Sequence, residues 1–107
     1  MDFDRLKKFI DEQDIKLDKL YNNFDNDQQK KNLAYAVKLT EEVGELSDEI
    51  LAYNSFQRQE KLDVKGKDDL GDEFADVMLV LLLLMKNMDI DMEKVLNKKM
   101  AKLEKRK

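Results

Sequence analysis

The sequence predicts an all-α protein, and three observations support that prediction. The chain has 107 residues, no proline, and only three glycines, Gly44, Gly66 and Gly71, so few positions can interrupt a helix. Hydrophobic and charged residues make up 42% and 41% of the chain, a balance that suits amphipathic helices. Apolar residues recur three or four positions apart, as they do on one face of a helix. We therefore expect one small domain, residues 1–107, made of long helices and few turns.

Four segments carry this periodicity in order along the chain. The predicted helices cover residues 2–24, 28–56, 68–87 and 91–107. The polar stretch 25–27 separates the first two helices and offers a side-chain cap for the second. A polar connection over 57–67 precedes the third helix, and Asp89 or Asp91 is the expected cap of the last one.

The third predicted helix has an acidic first half and an apolar second half, residues 77–85. A helix that is apolar all round is buried on every side, so we expect one face of it to pack against another subunit. The helix dipole would account for Asp68, Asp69 and Asp72 in a first turn. It does not account for Asp76, about two turns into the helix, which shares a face with apolar residues further along. We therefore expect Asp76 at the edge of a buried interior, where an acid needs a partner.

Composition excludes several classes of function. The net charge of −4 argues against a nucleic-acid partner, and the basic end, residues 98–107, fits a solvated helix C-terminus. The absence of cysteine excludes thiol nucleophiles, and the absence of histidine excludes the Glu-x-x-His type of di-iron bundle. The acidic start is unlike a signal peptide, and the run 77–85 is too short to span a bilayer. We expect a soluble cytoplasmic protein without nucleic-acid or membrane partners.

Two clusters of acids are the candidate functional residues. Glu41, Glu42 and Glu45 lie in the second predicted helix, and Glu73 and Asp76 lie in the third. Acids three residues apart share one helix face and repel each other, so a divalent cation would compensate them if the two helices pack antiparallel. An all-oxygen site favours Mg²⁺, Mn²⁺ or Ca²⁺ over iron, zinc or copper. A solvated acidic face is the alternative interpretation.

The wording of these clusters is E-E-V-G-E-L over residues 41–46 and E-F-A-D-V over residues 73–77. It resembles the MazG-like all-α nucleoside triphosphate pyrophosphohydrolases, and the resemblance extends over about residues 33–107. It implies association into homodimers or homotetramers, hence a four- to five-helix bundle-type subunit completed by homo-oligomerisation. It also implies cleavage of (d)NTP to (d)NMP and pyrophosphate, a reaction that serves nucleotide-pool housecleaning.

The resemblance further implies roles for individual residues. Glu42, Glu45, Glu73 and Asp76 match the Mg²⁺ ligands of the family, and Mn²⁺ is a possible substitute. Glu41 matches a position that is sometimes assigned to activating the attacking water.

The substrate contacts are marked less clearly. Lys38, one turn before Glu42, and Asn97 and Lys98 on the last helix could contact phosphates, with a solvated surface position as the alternative for each. The aromatic residues that could stack on a base, with core packing as the alternative, are Tyr35, Tyr53 and Phe56.

Two other functions remain open at this point. The chain could be a helical oligomerisation or adaptor module without catalysis, or a nucleotide-binding protein without turnover. Base and sugar preference, the number of metal ions, and the choice between dimer and tetramer have no marker in the sequence.

Overall fold

The computed structural model describes residues 1–20, 27–54 and 59–106, with the side chains of 59–67 outside that description. Within those residues it contains four α-helices and no strand. The helices are α1 (Phe3–Leu20), α2 (Gln28–Tyr53), α3 (Gln59–Asn87) and α4 (Met92–Glu104). The all-α prediction is confirmed.

Two helices begin at the aspartate caps that the sequence predicts. The side chain of Asp27 accepts hydrogen bonds of 3.0 and 3.2 Å from two backbone N–H groups in the first turn of α2. The side chain of Asp91 accepts a 3.1 Å hydrogen bond from the backbone N–H of Lys94 in α4. Each cap satisfies N–H groups that have no partner inside the helix. Asp91, rather than Asp89, is therefore the cap of α4.

The start of α3 differs from the prediction. The polar connection expected over 57–67 is helical from Gln59 onward, so α3 begins well before residue 68. The reason is that Gly66 costs only about 1 kcal/mol inside a helix, and the segment contains no proline. Consequently Asp69 and Asp72 do not lie in a first turn, and the helix dipole does not explain them.

The end of α3 is a Schellman motif. The backbone N–H of Ile90 donates to the carbonyl of Met85 at 3.0 Å, and the N–H of Asp89 donates to the carbonyl of Lys86 at 3.1 Å. Asp89 has a φ of 58°, the left-handed conformation that this motif requires and that glycine adopts most easily. α3 thus ends at Asn87, four residues before Asp91, the cap of α4.

The described chain divides into two compact units. The first comprises Met1–Asn32 and Leu82–Lys107, and the second comprises Leu33–Leu81. Helices α2 and α3 each contribute to both units, and the single-domain organisation stays a prediction. The buried apolar residues of the first unit are Ile10, Leu83 and Met92.

A buried ionic network lies beside this small apolar core. Asp14 and Lys31 are 5% and 6% exposed, and their ion pair measures 2.9 Å. Asp14 also accepts hydrogen bonds from Asn87 at 3.0 Å and Lys86 at 3.4 Å, while Lys31 pairs with Asp18 at 2.6 Å. Burial alone would raise the pKa of Asp14. The hydrogen bonds from Asn87 and Lys31 and the charges of Lys31 and Lys86 outweigh that effect, so the pKa is lowered overall. The network joins α1 to the first turn of α2 and the last turn of α3.

The second unit pairs α2 with the acidic half of α3, and its buried residues include Tyr35 and Ala52. Residues 77–85 are only partly covered within the single chain, and the expectation that one face of this segment packs against another subunit stays a prediction. Leu83 is buried, but Met78 and Leu81 are 61% and 42% exposed.

In the described part of the chain, no helix combines the length and the apolar character needed to cross a membrane.

Candidate metal centre

Acids of α2 and α3 converge within the second unit. One carboxylate oxygen from each of Glu42, Glu73 and Asp76 lies within 4.8 Å of the other two. The helical period places Glu73 and Asp76 one turn apart on the same face of α3, and Glu42 approaches them from α2. The structure thus brings together three of the four predicted metal ligands.

Two oxygens of this cluster are buried without compensation. Glu42 is only 7% exposed, although acids are rarely buried unless they are paired or bound to something. Glu42 Oε2 and Glu73 Oε2 are both buried and have no hydrogen-bond partner among the described residues. The other oxygen, Glu42 Oε1, lies 3.1 Å from Lys38 Nζ. Unsatisfied buried carboxylate oxygens are costly, so the site is suited to bind a positively charged ligand.

The negative charges around Glu73 also favour a bound cation. Its pKa is raised, first by partial burial and then by the negative charges of Glu45, Asp76, Glu42 and Glu49. Each of these neighbours disfavours the ionised form of Glu73 because like charges repel. A bound cation would offset the negative charge of these neighbours and so favour the ionised form of Glu73.

An acidic cleft of about 400 Å³ adjoins the three converging acids. Its lining residues are Glu49, Asp69, Asp72, Glu73 and Asp76. Three of them, Glu49, Asp69 and Asp72, are absent from the predicted site. The signal was present, because positions 69, 72, 73 and 76 follow the spacing of one helix face. Attributing Asp69 and Asp72 to the helix dipole was wrong, since α3 begins at Gln59.

The burial of the acids also differs from the expectation for Asp76. Asp76 is exposed, and Glu42 is the buried acid of the cluster. Within one chain the apolar half of α3 is only partly covered, so Asp76 opens into the cleft instead of an interior. The expectation that it lies at the edge of a buried interior is wrong for the single chain.

The remaining acids of the first motif are exposed. Glu45 lies outside the group of three converging oxygens, although its charge acts on Glu73. Glu41 is exposed beside Glu42. The pKa of Lys38 is raised, chiefly by its hydrogen bond to Glu42 and then by the negative charge of the same residue. The roles of Glu41 and Glu45 stay predictions.

Gly44 lies inside the first acidic motif and is exposed. A Cβ atom added there would meet nothing within 4 Å. Within the single chain, Gly44 is therefore a surface glycine, and no close helix approach requires it.

The predicted substrate contacts are distributed over the chain. Asn97 and Lys98 are exposed on α4, in the first unit, and their contact with substrate stays a prediction. Tyr35 is buried, which favours core packing for its ring, whereas Tyr53 is 39% exposed. Phe56 lies outside the described residues.

The donor set fits a hard divalent cation. The only ligand atoms of the cluster formed by Glu42, Glu73 and Asp76 are carboxylate oxygens. Mg²⁺ and Mn²⁺ prefer such oxygens, whereas softer metals favour sulfur or nitrogen ligands. The two buried oxygens without partners supply the structural reason for such a ligand. A cluster of this kind can neutralise itself by binding a cation that also contacts phosphate oxygens.

Comparison with known proteins addresses the same region. Searches of curated proteins and of solved structures found no match to this chain. The family model of the MazG nucleotide pyrophosphohydrolase domain matches residues 30–107. The match includes both acidic motifs and all of α3 and α4, while α1 precedes it. Since it covers most of the sequence, the chain belongs to the MazG nucleotide pyrophosphohydrolase domain family.

Proposed function

We propose that the chain is a Mg²⁺-dependent nucleoside triphosphate pyrophosphohydrolase that cleaves (d)NTP to (d)NMP and pyrophosphate and so cleans the nucleotide pool. The observation that carries the proposal is the convergence of Glu42, Glu73 and Asp76, with two buried oxygens that have no partner among the described residues. Membership of the MazG nucleotide pyrophosphohydrolase domain family supports this class of reaction.

The cation would be held by Glu42, Glu73 and Asp76, with Glu45 as the fourth ligand of the predicted set. Mg²⁺, or Mn²⁺ in its place, would neutralise the triphosphate and stabilise the charge that develops during phosphoryl transfer. Glu42 contributes most to positioning, because burial restricts its side chain, whereas Asp76 can adjust from the open cleft.

Other residues of the chain would act on water and phosphate. Glu41 is exposed beside the cluster and would orient a water toward the α-phosphorus and accept its proton. The sequence contains no histidine, so a carboxylate is the natural base at neutral pH. The ammonium group of Lys38 would contact a phosphate oxygen, and Asn97 and Lys98 are further candidates for that contact.

Pyrophosphate release tests the proposal directly. Purified protein would be incubated with a panel of NTPs and dNTPs and Mg²⁺, and the panel would also reveal base and sugar preference. Glu42→Gln and Asp76→Asn should each abolish release, because each removes a carboxylate from the converging cluster. Asp48→Asn, an isosteric change at an exposed position of α2, should leave the rate unchanged. No pyrophosphate release by the wild type, or full activity of both site variants, would refute the proposal.

We also propose that the chain acts as a homodimer or homotetramer. Phe74, Met78 and Leu81 follow one stripe of α3 and are 47%, 61% and 42% exposed. Covering this stripe with a second copy would bury apolar surface that a single chain leaves in water. Light scattering coupled to size exclusion would distinguish monomer, dimer and tetramer, and Met78→Lys should shift the mass toward the monomer. A wild-type monomer at micromolar concentration would contradict the proposal.

The same apolar stripe supports the second candidate, an adaptor module without catalysis. Metal dependence separates the two functions: a Mg²⁺-induced rise in melting temperature that Glu42→Gln removes would count against the adaptor. A protein that binds nucleotides without turnover would show the rise in melting temperature and nucleotide binding, but no pyrophosphate.

A further inference from the structure

Lys38 forms an ion pair with one of the candidate metal ligands, Glu42. Its Nζ atom lies 3.1 Å from Glu42 Oε1. The carboxylate of Glu42 also contributes an oxygen to the group formed with Glu73 and Asp76. One ammonium group therefore contacts the most buried acid of the candidate centre.

The ion pair between Lys38 and Glu42 is weak on the lysine side. The Lys38 side chain is 53% exposed, so water screens the pair and the lysine can swing away at little cost. The order along the helix is also the weaker one, because a glutamate four residues before a lysine stabilises a helix better than the reverse. The pair therefore contributes little to the stability of α2.

The carboxylate has the opposite requirement. Glu42 is 7% exposed, and its Oε2 has no hydrogen-bond partner among the described residues. A buried acid beside two further acids needs a positive charge nearby. Lys38 supplies one, and a divalent cation would supply two.

We propose that Lys38 is the internal counter-ion of the metal-free centre and competes with the divalent cation for Glu42. The inference rests on the metal centre of the proposed function. When the cation binds, Lys38 gives up Glu42 and extends toward solvent, one helical turn from the ligand cluster. Because the cation must displace Lys38, the chain binds the cation more weakly than it would without this lysine.

Metal binding without substrate tests the inference. The probe is Mn²⁺, with free Mn²⁺ followed by electron paramagnetic resonance at pH 8 in fixed salt. Lys38→Met should lower the dissociation constant about three- to tenfold, because it removes the competing charge and keeps the aliphatic stem. Lys38→Arg, which keeps the charge, should bind Mn²⁺ within about twofold of the wild type. Lys30→Met, an exposed control on the same helix, should also match the wild type.

Each outcome has a defined meaning. Mn²⁺ binding that is unchanged or weaker in Lys38→Met, while the wild type binds the ion, overturns the role of Lys38 and leaves the metal centre intact. Equal tightening in Lys30→Met overturns it as well, because the effect would then reflect net charge alone. No saturable binding by any variant refutes the metal centre and the inference with it. Tighter binding by Lys38→Met in a chain that releases no pyrophosphate upholds the inference and refutes the proposed reaction.

Discussion

Asp14 is the acceptor at the centre of the ionic network that joins three helices of the first unit. It is 5% exposed and contacts Lys31 at 2.9 Å, Asn87 at 3.0 Å and Lys86 at 3.4 Å. Replacing Asp14 with alanine removes all three contacts. Lys31, itself 6% exposed, then keeps its 2.6 Å ion pair with Asp18.

The magnitude follows from the burial of the two charges. Removing one partner of a buried ion pair costs about 3–5 kcal/mol, because the other charge stays buried without compensation. Asp18 compensates Lys31 in part, so we expect Asp14→Ala to lower the free energy of unfolding by about 2–3 kcal/mol. At roughly 4 °C per kcal/mol for a domain of this size, the melting temperature should fall by about 8–12 °C.

Thermal and urea unfolding at pH 7, followed by circular dichroism, would measure the change. The matched control is Asp18→Ala, which removes a second acidic partner of Lys31, one whose own side chain is 49% exposed. An exposed partner should cost less than about 1 kcal/mol. Equal effects of the two substitutions, or an Asp14→Ala effect below about 0.5 kcal/mol, would refute the argument that burial determines the cost.

Acid titration, two backbone substitutions and Mg²⁺ binding test other features of the chain. Because the pKa of Asp14 is held below its ordinary value of 3.8, its stabilising contribution is complete above that pH and is lost as the pH falls below it; the difference in melting temperature between wild type and Asp14→Ala should therefore close on acid titration. Asp89→Gly should raise the free energy of unfolding by about 1 kcal/mol, because residue 89 has a φ of 58° that glycine adopts without strain; urea denaturation would show no gain if that conformation were not required. Gly71→Ala should stabilise α3 by about 0.5–1 kcal/mol in the same assay, since an added Cβ meets nothing within 4 Å, and a loss would indicate that another chain covers this position. Mg²⁺ at about 100 times its dissociation constant should stabilise the wild type by about 2.7 kcal/mol and leave Glu42→Gln unchanged, and an equal rise in melting temperature for both would contradict the proposed ligand.

Local features of the fold were predictable because they depend on neighbouring residues. The caps Asp27 and Asp91 act on backbone groups two or three positions away, and short-range spacing is enough to find them. The start of α3 was missed for an equally local reason. The expected break near Gly66 represents a penalty of only about 1 kcal/mol, which packing and good helix formers overcome.

The candidate site was predictable in part. Helical spacing places Glu73 and Asp76 on one face, but it does not say how deeply each lies. The structure gives the burial to Glu42 and leaves Asp76 exposed. Glu49 became part of the acidic cleft only through the pairing of α2 with α3, which no pattern within a single helix contains.

The sequence by itself determined the helical class, two of the caps and the acidic motifs of the MazG nucleotide pyrophosphohydrolase domain, since each depends on residues within about one or two turns. The tertiary structure alone decided which charges are buried. The pairing of Asp14 with Lys31 depends on how the helices pack. So does the burial of Glu42, whose Oε2 has no partner among the described residues. Burial changes the energy of a charge by several kcal/mol, and the sequence shows every one of these residues only as one more charge in a chain rich in them.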